Sequence, residues 1–105
     1  MSGTTTNQII NAPENSVYLW MNGDIAYPRT IAMKYNRNDI TFMSVYMFFR
    51  YQYHGGYCRY IVADHNCVLD FDQIEKIFIN NERCKCKTKL ILDSKEYLVI
   101  WTINQ

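Results

Sequence analysis

The chain has 105 residues, 49% of them apolar and 20% charged, with a net charge of +1 at neutral pH. That length suits one domain around a single core, and the composition excludes a disordered chain. The near-zero charge excludes a global field that would draw in nucleic acid or a membrane surface, so any electrostatic binding must come from a local patch.

Residues 1–14 read as a flexible arm, with Thr4-Thr5-Thr6 and Asn11-Ala12-Pro13-Glu14 marking loop, and residues 15–105 as one domain. Their small polar start lacks the charged and apolar stretches of a secretory leader. The longest nearly apolar run, residues 40–49, is too short to span a bilayer as a helix. The four cysteines are therefore expected as reduced thiols in a cytosolic or nuclear protein with no membrane partner.

Residues 16–21 (SVYLWM) form an expected strand. Asn22-Gly23 is a strong hairpin signal, so residues 24–27 should fold back on it. Pro28 cannot donate to a ladder and marks an edge or a break. Residues 29–35 then resume as a strand, and Asn36-Arg37-Asn38-Asp39 turns the chain into its most distinctive stretch, residues 39–63.

That stretch holds two β-prone runs around His54-Gly55-Gly56-Tyr57. With Gly55 and Gly56 as a two-residue turn, Phe49 faces Val62, Arg50 faces Ile61 and Gln52 faces Arg59. Alternation then sorts the ribbon into two faces. Met43, Val45, Met47, Phe49, Tyr51, Tyr53, Cys58, Tyr60 and Val62 make an inward face. Tyr46, Phe48, Arg50, Gln52, His54, Tyr57, Arg59 and Ile61 make a mixed aromatic and basic one, of the kind found at binding surfaces.

After the loop Asp64-His65-Asn66, Asp70 reads as a helix N-cap with Gln73 three residues on, a capping box. Phe71, Ile74, Ile77 and Phe78 follow at helical spacing, and Asn80-Asn81 suggests a stop after about ten residues. Residues 85–92 and 97–104 close the chain as a hairpin around 93–96. The last strand is apolar on both faces, which points to a central, covered position.

The sum is an α+β fold built on a predominantly antiparallel sheet with one short helix. Three strands, a helix and two more strands form an order that resembles the OB-fold with an added N-terminal strand. A twisted sheet with the helix on one face fits the same order.

The binding candidates are Tyr46, Phe48 and Tyr57 as stacking rings, Arg50 and Arg59 as phosphate partners, and Lys85, Lys87 and Lys89 as an extension of that surface. For the lysines a solvated edge is the stronger reading. Cys58, Cys67, Cys84 and Cys86, with His54 or His65, would make a zinc site only against the usual ligand spacing, since just Cys84 and Cys86 lie close. Buried thiols, with no metal and no cofactor, are expected. Asp64, His65 and Cys67 are the only adjacent trio with catalytic chemistry, and no phosphate loop, nucleophile elbow or metalloprotease motif is present.

A non-enzymatic module that binds another protein is thus the leading expectation. Single-stranded nucleic acid on the aromatic ribbon and a homo-oligomer through the same face or a strand edge are the alternatives. The asparagine- and isoleucine-rich, proline-poor composition suits a compact viral protein or an AT-rich genome.

Overall fold

A computed structural model describes residues 3–52, 60–84, 90–92 and 95–97. In chain order these are α1 (Gly3–Asn11), β1 (Val17–Trp20), α2 (Ala26–Lys34), β2 (Thr41–Ser44), α3 (Val45–Met47) running into a π-helical turn (Phe48–Gln52), β3 (Ile61–Ala63), α4 (Phe71–Cys84), β4 (Leu90–Leu92) and β5 (Lys95–Tyr97). The strands form one sheet in the order β2-β1-β3-β4-β5. β1 pairs in parallel with β2 and β3, and β3 in parallel with β4, while β5 runs antiparallel to β4.

The α+β character is as expected; the antiparallel sheet and the OB-like order are not. Parallel neighbours need long crossovers, and the segments between β1, β2, β3 and β4 supply them as helices. The chain winds outward from β1 to β2, then back past β1 to β3 and on to β4. Right-handed crossovers put the helices of the two directions on opposite faces. Accordingly Ile9 and Ala32, from α1 and α2, pack with Tyr18, Trp20 and Val62 on one face. Phe48 and Ile77, from the π turn and α4, pack with Val17, Leu19, Ile61 and Leu90 on the other. β1 and β3, buried at every position, are the central strands. Strands covered on both sides have to be apolar throughout.

The expected central ribbon is not formed. β2 ends at Ser44, whose Oγ accepts the Met47 N–H at 3.1 Å and caps α3. The backbone stays helical through Gln52, although its side chains are β-prone; packing of Phe48 into the core overrides local preference. Ile61 pairs with Val17 and Leu90, and Val62 with Tyr18 and Ile91, so neither faces Arg50 or Phe49. The turn glycines Gly55 and Gly56 lie outside the described residues.

Residues 24–35 also change state. The Asn22 side chain accepts the Asp24 N–H at 2.9 Å, making a local turn that leads into α2, not a hairpin. Pro28 sits in the first turn of α2, where no intrahelical donor is needed. The helix ends in a Schellman arrangement: Asn36 is left-handed (φ 57), with Arg37 N–H bonded to Ala32 O at 2.7 Å and Asn36 N–H to Met33 O at 3.3 Å.

Where a flexible arm is expected, residues 3–11 form α1. Its threonines favour helix weakly, so tertiary contacts hold it. Ile9 is fully buried, and the Arg37 guanidinium donates to the carbonyls of Ile9, Ile10, Ala12 and Pro13 at 2.8–3.3 Å.

Two expectations stand. The capping box is present, with Gln73 N–H bonded to Asp70 Oδ1 at 2.8 Å and Asp70 N–H to Gln73 Oε1 at 3.1 Å. α4 continues past Asn80-Asn81 to Cys84. β4 and β5 pair antiparallel as the terminal hairpin, with Lys95 and Glu96 in the strand instead of the turn. Residues 85–89 and 98–104 of the expected hairpin, and with them the expected central position of the last strand, lie outside the described residues.

Candidate functional site

Where the winding reverses, between β1 and β3, the connections after neighbouring strands diverge. Open parallel sheets hold their ligands at that place, outside the carboxyl ends of the strands. Two groups of residues gather at this edge.

The first is polar and closed. Asp64 follows β3, and its N–H donates to Leu19 O at 3.1 Å, extending the ladder by one residue. Its carboxylate is buried. Oδ1 accepts the Tyr18 hydroxyl at 2.6 Å, Oδ2 accepts the Asn66 N–H at 3.0 Å, and His65 Nδ1 lies 3.5 Å from Oδ2. From α1, Gln8 reads the same loop twice: Nε2 donates to Ala63 O at 3.1 Å, and Oε1 accepts the His65 N–H at 2.8 Å. The His65 ring nitrogen Nδ1 also lies 3.4 Å from Thr5 Oγ1.

Cys67 donates its N–H to Asp64 O at 2.8 Å and its thiol to Leu19 O at 3.3 Å. Burial first, and the Asp64 charge second, push that thiol up to about 11. It is therefore protonated at neutral pH and a poor nucleophile. The trio singled out in the sequence does come together, but as a bonded corner that fixes α1 to the sheet. Among the described residues no buried side-chain nitrogen or oxygen lacks a hydrogen-bond partner.

The second group is apolar and exposed. Among the described residues nine large apolar side chains are exposed, and six of them (Met21, Tyr27, Tyr46, Met47, Val68 and Phe71) lie in the connections or first helical turns that follow β1, β2 and β3. Concentration at one edge distinguishes them from the single exposed apolar residues of an ordinary surface. Between α3 and the start of α4 one of them, Tyr46, lines a cleft of about 450 Å³ together with Val45, Phe49, Arg50 and Gln73. The Arg50 guanidinium lies 5.8 Å from the Tyr46 ring centroid, a cation–π contact. Asp70 and Asp72 are exposed at the start of α4, and Asp72 pairs with Lys76 at 3.3 Å. A groove of about 310 Å³ beside α1, floored by Val62 and Ile91, has neither charged nor aromatic lining among the described residues and is the weaker candidate.

Of the residues expected to bind a partner, Tyr46 and Arg50 reach the surface together. Phe48 is 1% exposed and belongs to the core, while Phe49, expected inward, lines the cleft. Tyr57, Arg59, Lys85, Lys87 and Lys89 lie outside the described residues. Sequence reasoning missed Met21, Tyr27 and Val68; the signal for Val68 is a bare apolar residue in the loop just before a helix cap. It put Phe71 in the helically spaced apolar series with Ile74 and Ile77, of which the structure exposes Phe71 and buries Ile77.

Among the described residues no group of three or more histidine, cysteine or acidic side chains could hold a metal ion. Cys58 and Cys86, and the side chain of Cys84, lie outside them. No helix among the described residues is long and apolar enough to cross a membrane. The chain matches no protein-family model, and neither a curated protein nor a solved structure matches it significantly.

Proposed function

We propose that this chain is a non-catalytic binding module that holds a protein partner on the carboxyl edge of its sheet, with Tyr46 and Arg50 at the centre of the contact. The observation that carries the reading is the gathering of Met21, Tyr27, Tyr46, Met47, Val68 and Phe71 at that one edge. Aromatic residues, methionine and arginine are the types enriched in interface cores. Each large apolar side chain removed from water contributes roughly 1.5–3 kcal/mol, so a few anchors suffice for a specific contact. The protonated Cys67 thiol and the fully bonded Asp64 carboxylate support binding over catalysis. Asp70 and Asp72, beside the cleft, would repel phosphate and favour a protein over single-stranded nucleic acid.

The test uses the purified chain as immobilised bait, with each retained protein then purified and measured against it. Tyr46→Ala and Val68→Asp should each weaken binding by about 30-fold, the equivalent of about 2 kcal/mol at a central anchor. Met33→Asp, at an exposed position on α2, should leave it unchanged. Retention that ignores both edge substitutions would move the function elsewhere on the molecule.

A further inference from the structure

Resting on that reading, we infer that the partner is a second copy of this chain: the edge closes a two-fold dimer in which Arg50 of each copy meets Asp72 of the other across the Tyr46 and Phe71 rings. A two-fold contact uses the same patch on both subunits, so the patch must complement itself. This one does. It carries a cation on one wall of the cleft, Arg50, and exposed carboxylates at the cap and in the first turn of the helix that supplies Gln73 to the other wall, Asp70 and Asp72. Gln73 lies between them and lines the cleft beside Arg50.

A patch of one sign would repel its own copy; mixed signs around exposed rings let the copy seat in a single register. The net charge of +1 adds no appreciable repulsion between whole chains. Asp70 already accepts the Gln73 N–H as a helix cap, which leaves Asp72 as the carboxylate able to change partners. Its pair with Lys76 joins side chains that are 71% and 48% exposed, a surface contact that exchanges readily for a guanidinium. Tyr46, Phe71 and Val68, exposed by 66%, 62% and 89%, then have apolar surface to meet.

Sedimentation equilibrium of the full chain over a range of concentrations reads the dimer directly. Wild type should be a dimer whose dissociation constant rises by at least about tenfold in Arg50→Glu and in Asp72→Arg. Each of those variants sets like charges against each other in its own homodimer. An equimolar mixture of the two should dimerise again, because the mixed dimer restores both opposite-charge pairs. Val68→Asp should dissociate the dimer as well, and circular dichroism should show unchanged helix content in every variant. A monomeric wild type overturns the inference, and if the bait experiment still retains an edge-dependent partner, the binding-module reading survives it. A dimer broken by Val68→Asp whose charge variants fail to restore each other overturns the Arg50–Asp72 pairing. A dimer indifferent to Val68→Asp overturns the edge as the interface.

Discussion

The Tyr18 hydroxyl donates to the Asp64 carboxylate at 2.6 Å, tying the central strand to the loop at which the winding of the chain reverses. Both side chains are buried. Burial first, and this bond second, hold the Tyr18 hydroxyl far above its ordinary range. Tyr18→Phe deletes one oxygen atom and leaves a buried carboxylate oxygen without its donor, at a cost of about 1–3 kcal/mol. Urea melts should show a lower midpoint with an unchanged slope. Wild-type stability in this variant would mean that the carboxylate finds another partner.

Alkaline pH should weaken the fold through the same corner. Cys67 keeps its proton up to about 11, because burial and the Asp64 charge oppose the thiolate. In the unfolded chain a thiol ionises near about 8.5. A folded-state value raised above the unfolded one gives stability that is complete below about pH 8.5 and fades as pH climbs towards 11. Tyr18 adds a second loss that begins near about pH 10. Melting temperatures measured from pH 8 to 11 should fall in wild type and fall less in Cys67→Ala. Parallel curves for the two proteins would contradict this assignment.

Acid should act through Arg37 and Asp39. The guanidinium bonds Asp39 with both ends, Nε to Oδ1 at 3.1 Å and Nη2 to Oδ2 at 3.0 Å. That bond first, and the Asn15 N–H second, hold the Asp39 carboxyl well below the usual carboxylate range. The resulting stability is complete above about pH 4 and is lost as pH falls below it. Asp39→Asn should remove this acid limb. Arg37→Met should remove it too, cost roughly 1–3 kcal/mol, and free the end of α1. Hydrogen exchange over residues 3–11 reports the last effect, and unchanged protection there would show that Arg37 does not anchor the helix.

Phe48→Ala should be the costly one of two adjacent truncations, at about 3–5 kcal/mol. Its ring is 1% exposed and meets Phe49 edge-on at 5.0 Å, whereas Phe49 lines the open cleft. The ribbon expected from sequence gives the reverse ranking, so the two urea midpoints separate a helical turn at this position from a strand.

Local chemistry settled what the sequence could settle by itself. Asp70 and Gln73 satisfy each other across one helical turn, so the start of α4 is legible without any distant contact. The apolar runs of β1 and β3 and the pairing of β4 with β5 are legible for the same reason. Strand direction was not, because it depends on which segments become crossovers. The fates of residues 26–34 and 45–52 turn on how Ala32 and Phe48 fit the two faces of the finished sheet. The same division runs through the site. Tyr46 and Arg50 are four residues apart, a spacing that shares one side in a strand and also, after about one turn, in a helix. Their common surface therefore survived the wrong element. Phe48 lies two residues from each, which means the same side in a strand and nearly the opposite side in a helix. Only the tertiary fold could decide that Phe48 belongs to the core and that Tyr46 and Arg50 face outward.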